Sequence, residues 1–219
     1  LQKLDIFSNV EIAGPGFINF NVTDAFLKQH VQTIVMSDQF GAPNLGNGDT
    51  TVLDYGGPNV GKPMHVGHLR SSIIGDSLRR ILSFVGYKTL GDVHLGDWGT
   101  QMGMIISELE IRHPEWVYFD ESVTSGYPDE SPVTLKDFEE LYPTASKACK
   151  ADPARHELAK NATVALQSKR AGYYALRSHF LTVSIDSMKA TYGALDVHFD
   201  VWNGEASGND VIAQRVDEL

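Results

Sequence analysis

Two histidines, His65 and His68, stand three apart in the string His65-Val66-Gly67-His68. A loop rich in glycine and proline, Asp54-Tyr55-Gly56-Gly57-Pro58-Asn59-Val60-Gly61-Lys62-Pro63-Met64, comes before them, and a long apolar-periodic run comes after. An imidazole can ligate a metal, sit at a polar turn, or donate a hydrogen bond to a phosphate. The setting favours the third chemistry. A loop that opens a helix presents free N–H groups and the positive end of the helix dipole, and both attract an anion. Gly67 lets the backbone approach such a ligand closely. Two imidazoles there could donate to a phosphate whose charge grows in a transition state. Either histidine alone also fits an ordinary surface turn; the pair is harder to read that way.

Zinc is the second functional reading. Helical histidine ligands more usually stand four apart with an acid between them, and no cysteine lies near. The Walker string G-x-x-x-x-G-K-[ST] is absent, as is the dinucleotide string G-x-G-x-x-G. Lys62 fits a phosphate contact or a solvated loop lysine. Asp54 fits a partner for an ammonium or guanidinium, or an anchor for its own turn.

The elements that must position these residues can be read around them. Thr51–Tyr55, TVLDY, is short, apolar and β-prone. Leu69, Ile73, Ile74, Leu78, Ile81, Leu82 and Val85 recur at helical spacing and predict a helix with one apolar face, closed by Gly86. Lys88 to Leu90 restarts an extended pattern that can run to Leu95. Strand, helix, strand is a βαβ unit, which implies a parallel sheet with ligands beyond the carboxyl ends of its strands. Upstream, two apolar stretches flank Gly14-Pro15-Gly16, a hairpin signal, and Thr23 caps a periodic run from Phe26 to Val35. The loop 41–50 is the expected domain boundary. Downstream, 98–112 reads as helix and 113–133 as an irregular excursion. Thr134 starts a helix that Pro143 is expected to interrupt, and Pro153 starts another. Helix continues to about Thr191 with a break near Ala171-Gly172, and Leu195–Trp202 alternates like a strand.

The 219 residues carry a net charge of −10, which weighs against a surface that grips nucleic acid everywhere but leaves room for a local basic patch. Charged residues make up 21% and hydrophobic residues 42%, ordinary for a soluble domain, and no run approaches a membrane span. The single cysteine, Cys149, excludes an internal disulfide and favours a reducing, cytoplasmic setting.

Longer strings carry a resemblance. HVGH after a strand and loop resembles the "HIGH" element of class I aminoacyl-tRNA synthetases. GPNVGKPMHVGHLRSSIIGD (Gly57–Asp76), followed by HLGDWGTQMG (His94–Gly103), resembles the arginyl-tRNA synthetases. EIAGPGFINF (Glu11–Phe20) is similar to the end of that family's N-terminal appended domain. The resemblance implies an α/β fold: a Rossmann-like parallel-sheet nucleotide-binding domain over 44–219 with a mostly helical insertion at about 113–192. Residues 1–43 would be the tail of a small α+β domain that meets the tRNA.

The implied activity is arginine–tRNA ligation, with ATP, L-arginine and tRNA(Arg) as substrates and Mg²⁺ accompanying ATP. No protein-held metal is expected. His65 and His68 would be catalytic. His65, Gly67, His68 and Lys62 would bind ATP, and Asp54, Gly57, Pro58, Asn59 and His68 would bind arginine. Asp97 would orient a ribose or its own loop, Trp98 would pack, and Asn19 and Phe17 are candidate tRNA contacts. Arg70, Arg79 and Arg80 could form a basic patch, or simply a solvated helix face. A monomer is the expected state.

The chain departs from the family pattern at Gly56-Gly57, where Ser-Ser or Ser-Ala is common, and at Val93, where Asn is frequent. It lacks an initiator methionine and the second, lysine-bearing loop of the class, so it reads as a fragment without full catalysis. Other readings are a small-molecule adenylyltransferase of the HxGH type, a synthetase of the same class for another amino acid, and a non-catalytic nucleotide-binding module.

Overall fold

The architecture was taken from a computed structural model that describes residues 3–218. These divide into two compact units. One is the segment up to Thr50 together with Ile81–Lys88; the other is Thr51–Arg80 together with the chain from Thr89 onward.

In the first unit, β1 (Phe7–Ala13) and β2 (Phe17–Val22) form an antiparallel hairpin across the expected Gly-Pro-Gly turn. Helix α1 (Asp24–Val35) follows, with the Thr23 hydroxyl accepting from the Phe26 amide as an N-cap should. Phe17, Ile18 and Phe20 are all exposed, because no other described element packs on the hairpin. Both tRNA-contact candidates, Asn19 and Phe17, therefore lie at the surface. The loop before residue 50 is not loose. Leu45 and Gly46 donate to the Val85 carbonyl at 2.8 and 2.9 Å, and Lys88 donates to Asp49 at 2.9 Å.

In the second unit, strand β3 (Thr50–Asp54), helix α2 (Val66–Phe84) and strand β4 (Lys88–Asp92) make the predicted strand–helix–strand, with β3 and β4 hydrogen-bonded neighbours. The ladder continues past both strand ends through a parallel bridge between Asn59 and Gly96. Residues 195–202 do not form the predicted strand. Only Val201 and Gly204 make isolated parallel bridges, to Asp92 and Leu95, because Asp200 turns its carboxylate onto the Gly91 amide at 2.8 Å and interrupts the regular pattern.

Helix α2 also differs from its pattern. Its buried positions are Ser72, Gly75 and Asp76, while Ile73, Ile74 and Leu78 stay about half exposed. The small residues let the Tyr55 ring lie on the helix backbone, so close that a Cβ on Gly75 would come within 2.3 Å of it. No described element covers the apolar stripe.

Helices α3 (Thr100–Arg112), α4 (Leu135–Ala151), α5 (Pro153–Gln167) and α6 (Ala171–Ala194) pack together and supply most of the core. Ile105, Ile106, Leu109, Phe138, Leu166, Leu176 and Phe180 are fully enclosed there. The break at Ala171 and the start at Pro153 fall where the sequence puts them, and 113–133 is irregular as read. Pro143, however, lies inside a continuous α4. A proline costs the helix the bond to residue i−4, and here the packing of α4 on α3 and α5, with Phe138, Leu141, Ala145 and Cys149 buried, holds the helix through it. A 3₁₀ turn (Glu205–Gly208) and a last helix, α7 (Asn209–Asp217), were not anticipated. No described helix is long and apolar enough to cross a membrane.

Candidate active site

The loop from β3 runs out over the carboxyl end of the sheet. Gly56 and Gly57 both take left-handed backbone, φ +90° and +57°, which accounts for two glycines where a hydroxyl residue is common in the resembling family. The Gly57 amide donates to Val93 at 3.2 Å. Val93 itself is fully buried, so a core contact replaces any polar group at that position. Beyond Pro58, Val60 donates to Gly96 at 2.9 Å and Gly96 donates to Pro58 at 3.1 Å. The Asn59 side chain lies against Gly96, where a Cβ would meet its Oδ1 at 2.3 Å. Gly61 donates to the Ser184 hydroxyl at 2.9 Å, and Gln101 donates to the Val60 carbonyl at 3.1 Å. The loop is thus fixed by α3 and α6 before it reaches the histidines.

Helix α2 then begins immediately after His65. The two imidazoles stack, with centroids 4.0 Å apart and planes 25° from parallel. The Gly67 amide donates to His65 Nδ1 at 3.1 Å, and the His65 amide donates to His68 Nδ1 at 3.2 Å. A ring nitrogen that accepts carries no proton, so each neutral ring holds its proton on Nε2. Both side chains are therefore poised as Nε2–H donors at a helix N-terminus. Burial, then the charges of His65 and Lys62, push the His68 pKa below its ordinary value, which keeps that tautomer neutral. Gly67 has a role beyond backbone access: a Cβ there would sit 2.8 Å from the His65 ring. Ser71 ties the helix start to the loop by donating to the Gly56 carbonyl at 3.2 Å, and Ser72 donates to the His68 carbonyl at 2.7 Å.

His65, Gly67 and His68 therefore come together. Lys62 is close enough for His68 to feel its charge, but its ammonium lies over the Tyr142 ring, 5.1 Å from the centroid. Gly57, Pro58 and Asn59 line the loop itself. Asp54 is exposed at the carboxyl end of β3 and has no side-chain partner among the described residues.

Of the two roles expected for Asp97, its contacts fit the anchoring of its own loop. Asp97 is 1% exposed, pairs with Arg177, and accepts from the Ala206 amide at 3.1 Å. Arg177 also donates to the Asp97 carbonyl at 3.1 Å and lies over the Trp98 ring, 5.3 Å from its centroid, so Trp98 packs. Arg79 and Arg80 are both engaged by the buried Asp76. Burial opposes ionisation of Asp76, but hydrogen bonds from Arg80 and Arg79 outweigh it and hold the carboxyl below its usual range.

Sequence reasoning missed Arg177, Ser184, Gln101 and Tyr142. Ser184, Gln101 and Tyr142 reach the loop from helices, and Arg177 reaches Asp97 and Trp98 from α6; no local spacing marks them. Ser71 and Ser72 carried a signal, being three and four residues past His68 and so on its side of the helix.

Residues 30–219 match the family model described as tRNA synthetases class I (R), catalytic domain. The chain is 52% identical over all its 219 residues to an arginine–tRNA ligase of Alkaliphilus oremlandii, and covers 37% of that protein. It is 50% identical over 212 residues to the arginine–tRNA ligase of Francisella tularensis subsp. novicida, covering 36% of it. The solved arginyl-tRNA synthetase of Plasmodium falciparum superposes over 97% of the chain with a TM-score of 0.72 at 27% identity, the chain covering 35% of that structure. The Thermus thermophilus enzyme shares the fold over 93% of the chain, with a TM-score of 0.59 at 19% identity. The chain thus spans a little over a third of the length of these curated relatives, and within that span the family model, the parallel α/β sheet and the HVGH helix start agree: it belongs to the class I arginyl-tRNA synthetase family.

Proposed function

We propose that this chain carries the phosphate-facing half of the active site of an arginine–tRNA ligase. The observation that carries the reading is the stacked histidine pair at the start of α2, with both Nδ1 atoms satisfied by backbone amides, which leaves the proton of each neutral ring on Nε2. In the first step a carboxylate oxygen of arginine attacks the α-phosphorus of ATP, and pyrophosphate leaves. Negative charge grows on the phosphate oxygens as the new bond forms. His65 and His68 donate to those oxygens, and the Gly67 backbone lets them approach. Lys62 adds positive charge on the loop side. The positioning of these donors by the Gly57–Gly61 loop is the protein's main contribution.

In the second step a hydroxyl of the terminal adenosine of the tRNA attacks the arginyl carbonyl, and AMP leaves. Asp54, at the exposed sheet end beside Gly57, Pro58 and Asn59, is assigned to the cationic groups of arginine. Mg²⁺ enters with ATP. Among the described residues no group of three His, Cys, Asp or Glu side chains gathers to hold a metal, and no step is assigned to one. We assign 1–43 to the end of an appended, tRNA-contacting domain and 44–219 to part of the catalytic domain, in a cytoplasmic and monomeric protein.

Pyrophosphate–ATP exchange by the full-length protein tests the reading, run across all twenty amino acids with and without tRNA. Exchange confined to arginine supports it. Exchange with another amino acid keeps the class and moves the specificity to Asp54 and its loop.

A further inference from the structure

Lys62 is the one basic residue of the loop 54–64, three positions before His65. Its backbone is fixed from both sides. Gly61, just before it, takes left-handed backbone at φ +71° and donates to the Ser184 hydroxyl at 2.9 Å. A Cβ on Gly61 would meet Ile105 at 2.6 Å, so the loop is pressed onto α3 there. Pro63, just after it, favours extended backbone for Lys62. The side chain is another matter. A lysine stem samples many rotamers, and a phosphate contact has to halt them.

A ring halts them here. The Lys62 ammonium lies 5.1 Å from the Tyr142 centroid, within the range of a cation–π contact. Tyr142 is half-buried and packs against the core, on a helix that buries Phe138, Leu141, Ala145 and Cys149. The Tyr142 hydroxyl has no hydrogen-bond partner among the described residues, so the ring face is what the residue offers. Glu139 lines the same cavity of about 500 Å³ between the loop and α4, yet Lys62 makes no ion pair among the described residues. The difference matters chemically. A carboxylate would neutralise the ammonium and compete with a phosphate for it, whereas a π face holds it weakly and leaves its charge intact. That charge reaches the histidine pair: after burial and the charge of His65, Lys62 is the third cause that lowers the His68 pKa. We propose that Tyr142 is a positioning residue for adenylate formation, whose ring holds the Lys62 ammonium beside the histidine pair, unneutralised, until the ATP phosphates take it up. The inference rests on the ligase reading for what Lys62 meets, and it adds to the site a residue of the helical region that the two-step chemistry does not name.

The test compares Tyr142→Leu with Tyr142→Phe in the full-length protein, each with Lys62 present and in a Lys62→Met background. Phenylalanine keeps the π face; leucine keeps apolar bulk without it. With Lys62 present, Tyr142→Leu should lower kcat/KM for ATP in pyrophosphate exchange about two- to fivefold, as for loss of an exposed cation–π contact. KM for arginine should not move, and Tyr142→Phe should keep the wild-type values. In the Lys62→Met background leucine and phenylalanine should be equivalent. A loss of the same size in both backgrounds would show a packing role and overturn the inference, as would no loss with Lys62 present, or phenylalanine as damaging as leucine. Titration of His68 by NMR needs no exchange activity. The charged groups that act on His68 are His65 and Lys62, so Tyr142→Leu should raise its midpoint toward 6.5 as the ammonium leaves, and Tyr142→Phe should not. A midpoint unmoved by Tyr142→Leu would overturn the inference. A midpoint that moves, in a protein that exchanges with no amino acid, would support the hold on Lys62 and contradict the ligase reading alone.

Discussion

Replacing Arg177 by methionine should be among the most damaging single changes in the second unit, although Arg177 touches no proposed substrate. Its guanidinium pairs with Asp97, whose carboxylate is 1% exposed, and donates to the Asp97 carbonyl at 3.1 Å. Methionine keeps most of the aliphatic packing against Trp98 but leaves the Asp97 carboxylate buried beside a single donor, the Ala206 amide. Breaking a buried pair from one side costs about 3–5 kcal/mol. For a domain of 150–250 residues, each kcal/mol moves Tm by about 2–4 °C, so a fall of about 6–20 °C is expected. Hydrogen exchange reports the same loss locally, and the Ala206 amide should exchange about 100-fold faster or more.

The companion variant Asp97→Asn/Arg177→Met removes both charges and should recover at least half of the loss, because the cost lies in the orphaned charge rather than in a net worth of the pair. A cost below about 1 kcal/mol for Arg177→Met would refute the reasoning. So would a double variant no more stable than the sum of its singles.

Three further outcomes follow from the site. Gly67→Ala should raise or preserve stability, by up to about 1 kcal/mol from helix propensity, yet lower adenylate formation at least tenfold, because its Cβ would displace the His65 ring from 2.8 Å; equal activity would show that the His65 position is not required. His68 should titrate below 6.5 when followed by NMR, and Lys62→Met should bring it back toward that value. Because the folded pKa is depressed, the contribution of His68 to stability is present above 6.5 and declines as pH falls from there through the folded pKa; a midpoint at or above 6.5 would contradict this. Asp54→Asn should raise KM for arginine more than KM for ATP, whereas equal effects would indicate a collapsed loop.

How much of this was legible in the sequence depends on the range of the interactions involved. The hairpin, the Thr23 cap, the βαβ unit and the break before Ala171 are set by turn residues and periodicity within a few positions. The histidine pair was legible for the same reason, since the Gly67 and His65 amides that orient it lie within three residues. The Arg177–Asp97 pair spans 80 residues, and the Ser184 hydroxyl reaches Gly61 across 123, so neither leaves a local trace. Asp97 was legible as important but not as buried, because GDWG reads the same whether its carboxylate faces a ligand or a guanidinium. Pro143 and the 195–202 segment misled for one reason: packing from α3 and α5 held the first in a helix, and the Asp200–Gly91 bond drew the second out of a strand. The stripe of α2 was legible as apolar, yet the helix buries its small and polar residues, because Tyr55 lies on Gly75, Ser72 meets Tyr192 and Asp76 accepts from the His198 amide, all contacts distant in sequence.

The central claim is that His65 and His68 act as Nε2–H donors to the phosphate during adenylate formation. Single-turnover adenylate formation by full-length His65→Ala and His68→Ala tests it most directly, with ATP affinity and thermal unfolding measured alongside. Each variant should lose about 10²–10³ in rate, as for removal of one preorganised donor, while ATP affinity falls far less and Tm stays near wild type. Normal rates in both folded variants would contradict the account.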